Sequence, residues 1–509
     1  MKIDLRVDRD SLRRWHLLLA QRLGKRDGAT IGFRLEAGEP QPSKAGELLF
    51  QIETRLFGLG GEGLADRIGP EALTEFCDGG EAYLVIDLAR DPAKANERVW
   101  RIECDGVGLE PGLLAAALAG RSPTVRVLGP SGPLAVARPG AERLGLVKAT
   151  FEDTLQRVVT LIEAALDGAA VASPPALPGE AGATFDVKEL ATRKWVGRAG
   201  ATVKRRAQRL VYTALFHAPH WRVGWRRGEG GISDAGVGAG WTDLPDDGRR
   251  FYADPFPVVW RDKTFLFVEE FEHRAGKGII SVVEFGPDGP LGAPQPALER
   301  PFHLSYPNVF ERDGELWMIP ESVGAGSIDL YRALDFPFRW RLESTLVGGV
   351  VASDATLVEK DGRWWMFATV RDGGGAFSDC LWLWSAPDFR GPWTGHPRNP
   401  VLIDIASARP AGRMFARGDA LYRPVQDCRT GYGAALGLAR VDRLDLSGFA
   451  QTVERIVRPC ADWPGRRLHT YNAAGGFEFI DGSGLAPRLS ALRRPLRLAR
   501  RRPLRLAPA

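Results

Sequence analysis

No apolar run in the 509 residues reaches the roughly 18–20 that a membrane-spanning helix needs. The opening Met1-Lys2-Ile3-Asp4-Leu5-Arg6 holds no apolar leader and no cleavage site, so a soluble cytoplasmic protein is the expectation. Cysteine is scarce: five, at 77, 104, 380, 428 and 460, with no Cys-x-x-Cys pair and no Cys/His cluster at zinc spacing. That pattern argues for reduced, mostly buried thiols, and neither a structural metal nor a cofactor is expected. Histidine is equally sparse at seven. A basic body is missing too. Eight arginines follow Asp481 with no acid among them, so the chain's +5 leaves residues 1–481 at about −3. A protein that grips nucleic acid carries its positive charge on the folded body, so no specific nucleic acid is expected.

What is present in abundance is turn chemistry and tryptophan. Sixty glycines, 36 prolines and 15 tryptophans accompany an ordinary 44% hydrophobic and 26% charged balance, which fits a folded, strand-rich chain. The length exceeds one compact core, at about 150 residues per domain.

Residues 1–168 alternate strand and helix patterns. Strands are expected at Ile3–Val7, Thr30–Leu35, Tyr83–Leu88 and Thr124–Leu128. Helices are expected at Leu12–Ala20 (capped by Ser11), Pro111–Ala119 and Phe151–Leu166. This alternation predicts an open parallel α/β sheet. A Pro/Ala/Gly linker follows over 169–185, then a basic helix over 186–215. There Lys188, Arg193, Lys194, Arg198, Lys204, Arg205, Arg206 and Arg209 interleave with Leu190, Trp195, Val203 and Leu210. Such a helix either packs its apolar stripe on a neighbour or makes transient contact with an anionic membrane surface, helped by the Arg-rich segment 483–509, which is expected to be disordered.

From residue 216 to 482 the pattern becomes β. An apolar strand, a charged turn and an aromatic strand recur around residues 262, 313, 361, 418 and 481, at spacings of 51, 48, 57 and 63. A hairpin repeat near 50 residues predicts a propeller with one blade per repeat, hence five blades. Residues that open each repeat then converge on the axis: Asp254, Tyr306 and Asn308, Asp354, Arg409, and His469-Thr470-Tyr471-Asn472. Such a ring suits the dense hydrogen bonding of a sugar and offers acid/base capacity.

Ala253-Asp254-Pro255 entering such a strand resembles the first blade of the five-bladed furanosidase-type propellers of family-43 glycoside hydrolases. The resemblance implies a general base at Asp254 and an acid further on. Ser305-Tyr306-Pro307-Asn308-Val309 matches the family's second motif but carries Asn308 where Asp is expected. Ala408-Arg409-Pro410-Ala411-Gly412-Arg413 stands where the acidic motif should fall and has no carboxylate. Hydrolysis with inversion needs two carboxyl groups, roughly 6.5–9.5 Å apart, so this departure argues against simple hydrolysis.

A broader resemblance covers 220–482. It includes His303-Leu304-Ser305-Tyr306-Pro307, Met318-Ile319-Pro320-Glu321-Ser322, Ser353-Asp354-Ala355-Thr356-Leu357, Leu421-Tyr422-Arg423-Pro424-Val425-Gln426-Asp427 and His469-Thr470-Tyr471-Asn472. These segments resemble the propeller domain of the glucosamine inositolphosphorylceramide transferase family and its free-standing bacterial relatives. In that family glycosyl transfer is attributed to a separate C-terminal domain, which this chain is expected to lack. Residues 1–168 resemble a formyltransferase domain whose active loop and histidine are missing, so a degenerate copy is expected.

Three readings stay open: a carbohydrate-active protein of glycan or glycolipid metabolism, a non-catalytic glycan- or partner-binding module, and a furanosidase. The candidate catalytic residues are Asp254, Asp354, Glu270 and Glu321. The candidate substrate-binding residues are His303, Tyr306, Asn308, Arg409, Arg423, Gln426, Asp427 and His469.

Overall fold

The computed structural model describes residues 1–38, 42–60, 62–78, 81–89, 94–168, 171–178, 190–228 and 237–488. Most of the second half of the predicted linker, Lys188 and the arginine-rich segment beyond residue 488 lie outside them.

The chain opens with β1 (Lys2–Asp8), α1 (Arg14–Gly24), β2 (Thr30–Glu36), α2 (Lys44–Phe57), β3 (Cys77–Asp78), β4 (Leu84–Asp87) and β5 (Val99–Cys104). It continues through β6 (Val107–Gly108), α3 (Leu109–Ala119), β7 (Val125–Gly129), β8 (Gly132–Ala137) and α4 (Val147–Leu166). The sheet order is β3-β2-β1-β4-β5-β7-β8. It is mixed rather than all-parallel, which corrects the expectation. β1 through β5 pair in parallel, whereas β7 runs antiparallel to β5. The reason is local. The Asp105 amide bonds the Thr124 carbonyl at 2.9 Å, so after α3 the chain re-enters the sheet at the end where β5 stopped. No crossover to the opposite edge is completed, and a parallel strand needs one. The formyltransferase likeness gains nothing from this topology. Nor does Ser11 cap the first helix. It sits in a 3₁₀ turn, and Arg13 takes the cap position, its amide bonding His16 Nδ1 at 3.1 Å.

The second half is a five-bladed propeller, as the repeat predicts. Four blades are continuous in sequence, with innermost strands beginning at Arg250, Ser305 and Ala352 and a fourth sheet spanning Phe415–Val457. The fifth is composite. Trp221–Arg227, which precedes the first repeat, pairs antiparallel with Phe477–Ser483 and closes the ring. Asp262, Asp313 and Asp361 take the left-handed conformation that the hairpin turns demand, each followed by a turn glycine or Lys263.

The two halves share one core. Cys380 and Ile403 of the propeller pack in the same cluster as Ile3, Leu5, Trp15 and Phe151. Arg157 of α4 and Asp379 are both fully buried and meet at 2.7 Å, and the Gly140 amide donates to the same carboxylate at 2.9 Å. The Ala172 amide bonds Val401, so the described part of the linker docks on the third blade. Helix α5 (Thr192–Leu215) leans on α2 through Trp195 and Thr202, the two buried residues of its 24.

Arg157→Ala strands a buried carboxylate, and we expect it to cost about 3–5 kcal/mol. Arg157→Met with Asp379→Leu should recover most of that loss. Urea denaturation of the two variants checks both, and an equal loss in the double variant would contradict the assignment.

Candidate axial site

The innermost strands of the first three blades carry the same defect. Each has a β-bulge, between Ala253 and Phe256, Ser305 and Asn308, and Ser353 and Thr356. The residue at each bulge adopts positive φ: Asp254 at 49°, Tyr306 at 43° and Asp354 at 57°. Non-glycine residues in that region cost of order 1–3 kcal/mol and need the surroundings to hold them there. What holds them is a polar network across the axis. The bulge also settles the correspondence between blades. Tyr306, not Asn308, is the counterpart of Asp254 and Asp354.

The first polar group joins the blades at the closure. Asp481, fully buried, accepts the amides of Asp254 (3.0 Å), His469 (3.1 Å) and Thr470 (2.9 Å), and its Oδ2 lies 2.7 Å from His469 Nδ1. Asp254 accepts the Thr470 hydroxyl at 2.7 Å and the Tyr306 amide at 3.2 Å, with His469 Nε2 3.7 Å away. Burial, supported by Asp481, pushes the Asp254 carboxyl up to about 7 against the pull of His469. Burial alone would lower the His469 pKa, but Asp481 and Asp254 outweigh it and raise it. The imidazole stacks on Trp221 at 4.0 Å and 13°.

The second group faces it from the second, third and fourth blades. Arg409 Nε meets Asp354 at 2.6 Å, and Nη2 reaches Asp354 and Glu321, each at 3.4 Å. Gln426 donates to Asp354 at 2.9 Å and to Pro410 at 3.0 Å. Burial pushes Asp354 up to about 7 against Arg409, and the neighbouring Glu321 carboxylate adds to the rise. Each group therefore holds two carboxyls and one cation.

Tyr432 bridges the two. The Arg409 guanidinium lies 4.8 Å from its ring centroid and His469 meets it edge-on at 5.2 Å. The loop approaches this closely because residue 433 is glycine at φ 60°. A Cβ there would lie 2.8 Å from His469 and 3.1 Å from Trp221. On the rim, His303 accepts the Gly278 amide at 2.9 Å and faces Glu269 at 3.2 Å, its side chain 42% exposed. Beneath, Tyr306 fills the axis, its hydroxyl bonded to Thr356 (2.9 Å) and the Gly412 amide (2.8 Å).

The structure thus brings Asp254, Asp354, Glu321, His303, Arg409, Gln426 and His469 together, with Tyr306 as the floor. The other candidates lie elsewhere. Glu270 points to the opposite side of its strand from Glu269 and is held by Arg250 and by the Ser281 hydroxyl at 2.7 Å. Asn308 ties its strand to Ala355 at 3.2 Å. Arg423 is buried between blades, bonded to Gln451 (2.8 Å) and the Ala408 carbonyl (2.8 Å). Asp427 pairs with Arg429 at 2.8 Å in a cavity of about 860 Å³ at the crease between the two halves. Three arginines of that crease, 121, 138 and 429, are occupied by Asp105, Asp404 and Asp427. The carboxyls that burial raises to about 7, Asp254 and Asp354, sit at the axis. Glu269, Tyr432 and Trp221 were not among the candidate residues, and Asp481, expected in the turn of the fifth repeat, lies instead within the strand Phe477–Ser483.

Asp254, His469 and Asp481 are also the one group of three metal-ligating side chains close enough to share an ion among the described residues. The two carboxylates accept backbone amides and the Thr470 hydroxyl, whereas the buried His469 Nδ1, 2.7 Å from Asp481, makes no hydrogen bond.

Residues 243–474 match the family model described as Glucosamine inositolphosphorylceramide transferase 1, N-terminal. The protein of that name from Oryza sativa subsp. japonica is 33% identical over 263 residues, 48% of this chain and 35% of the relative. That from Arabidopsis thaliana is 32% identical over 235 residues, 44% of this chain and 30% of the relative. The chain therefore spans about a third of the length of these relatives. Among solved structures, a thermostable family-43 glycoside hydrolase is 14% identical at a TM-score of 0.31, covering 42% of this chain and 78% of its own. RS223-β-xylosidase is 11% identical at 0.35, covering 46% and 93%. The resemblance to the transferase propeller holds, and the blade count rests on the sheets themselves.

Asp254 and Asp354 bind protons more tightly folded than unfolded, where carboxyls titrate near 4. Their contribution to stability is fully present below about 4 and is lost as pH rises through about 7. Calorimetry of Asp354→Asn should show a shallower fall in melting temperature between pH 5 and 8 than the parent. An unchanged slope would contradict the raised pKa.

Proposed function

We propose that the axial cluster binds a sugar or glycoconjugate and serves a glycosyl-transfer system of glycan or glycolipid metabolism. One observation carries the reading: two groups of two carboxyls and one cation face each other across the propeller axis, linked by Tyr432. Near neutral pH Asp254 and Asp354, pushed up to about 7 chiefly by burial, are each about half protonated. The site then presents neutral carboxyls and N–H groups that donate alongside carboxylates that accept. Vicinal hydroxyls need both. The Tyr432 ring supplies an apolar face. The names of the plant relatives, which specify glucosamine and an inositol phosphoceramide, support a polyhydroxyl ligand of that kind.

The same geometry favours positioning over turnover. Asp354 is committed to Arg409 and Gln426, and Asp254 to Thr470 and Tyr306. A glycoside hydrolase needs one carboxyl free to protonate a leaving oxygen and another to activate water. The second reading, acid/base catalysis with Asp254 as base and the Asp354–Glu321 pair as acid, is favoured by the Asp254 pKa near 7.

Ligand-observed NMR on the whole chain decides between them. A panel of glucosamine, inositol phosphates, pentoses and aryl furanosides should yield at least one binder. Glu321→Gln, at the edge of the cluster with its side chain 12% exposed, should weaken that binder about tenfold, as loss of a charge-assisted hydrogen bond does. New anomeric signals that vanish in Asp254→Asn would establish the catalytic reading. A panel with no binder would overturn both.

A further inference from the structure

Helix α5 is buried at only two residues, Trp195 and Thr202. The flank next to these two carries Val196, Val203 and Leu210, exposed at 63%, 53% and 54%. They are spaced seven apart, so they fall on one stripe of the helix with little drift. Val211 and Leu215, exposed at 60% and 51%, widen the stripe toward the C-terminal end. An apolar stripe left in water on an otherwise packed protein marks a contact surface. Its flanks name the partner. Residues 192–215 contain seven lysines and arginines and no acidic residue. A second protein chain would have to bring both an apolar ridge and a matching acidic border, whereas an anionic bilayer surface offers both at any orientation about its normal.

A second observation comes from the other end of the sequence. Ala486 and Pro487 pair with His217 and Phe216, and Arg488 bonds the carbonyls of Leu215 (2.9 Å) and Thr213 (2.7 Å). Arg488, the last described residue, therefore lies at the C-terminal end of α5, and the sequence that follows it holds seven arginines and no acid.

We infer that α5 lies in the interface of an anionic membrane, its Val196–Val203–Leu210 stripe among the acyl chains near the headgroups, with the seven arginines that follow Arg488 in sequence adding electrostatic attraction. The same end of the helix adjoins the axial rim. His217 stacks on His273 at 4.3 Å, and Phe271 lies 6.0 Å from both His273 and His303. A membrane under α5 thus lies next to the rim residue His303. Where the sugar reading also holds, the ligand is a membrane-borne glycoconjugate; the membrane contact itself does not depend on that reading.

Co-sedimentation of the whole chain with vesicles tests it. Phosphatidylcholine vesicles with about a third phosphatidylserine should retain the protein, and pure phosphatidylcholine should not. Val203→Asp with Leu210→Asp and Val211→Asp should cut retention at least about tenfold while the circular dichroism stays as in the parent, since all three side chains are exposed. A chain ending at Arg488 should bind more weakly but keep its dependence on the stripe. Hydrogen exchange on the parent should show protection gained over 203–215 when vesicles are added. Absence of binding to anionic vesicles, retention unchanged in the triple variant, or a self-associated species that hides the stripe without vesicle binding would each overturn the inference. No vesicle carries a sugar, so failure here leaves the axial reading standing, and a failed sugar panel leaves this one standing.

Discussion

Everything at the axis depends on how the propeller closes. A ring of blades has two free edges until one strand crosses the seam, and here Trp221–Arg227 does so by pairing with Phe477–Ser483. The seam is locked by Asp481, whose carboxylate gathers three backbone amides from both sides of it. One of those amides belongs to Asp254. The bond that closes the ring therefore also holds Asp254 in its left-handed conformation, which in turn aims its carboxylate at Thr470, His469 and Tyr306. The closing strand also brings Trp221 under the imidazole of His469. Fold closure and site geometry are one set of contacts.

Burying four carboxyls with two cations near one axis is electrostatically costly, and the structure offsets that cost by hydrogen bonds and by retaining protons. The rises at Asp254 and Asp354 follow from burial first and from like charge second. A site of this kind is rigid, because removing any member leaves its neighbours unpaired. It is suited to presenting a fixed pattern of donors and acceptors to a ligand that arrives at the Glu321–Tyr432–His303 side.

The hairpins were legible because their turns advertise themselves: Asp262, Asp313-Gly314 and Asp361-Gly362 sit between apolar and aromatic strands at a steady period. The converging residues were legible for the same reason, since the start of each repeat marks the axis. The choice of Glu270 as a candidate failed. The bulge between Ala253 and Phe256 shifts the register, so that Glu269, opposite Ala253, is the residue beside Asp254. Nothing in the residue order announces a bulge. Tyr432 escaped because it rides on a loop rather than an axial strand, and Trp221 because it precedes the first repeat. The mixed sheet of the first half was hidden by a helix that looks like a crossover and is not one. The union of the halves through Arg157 and Asp379, 222 residues apart, has no local signature.

The retention of protons by Asp254 and Asp354 near neutral pH is the claim on which the functional account stands. It is read most directly by a ¹³C NMR titration of the aspartate carboxyls in the whole chain, with Asp254→Asn and Asp354→Asn used to assign the two signals. The account predicts midpoints near 7 for both. Midpoints near 4, where exposed carboxyls titrate, would show two groups of freely ionised acids and contradict it.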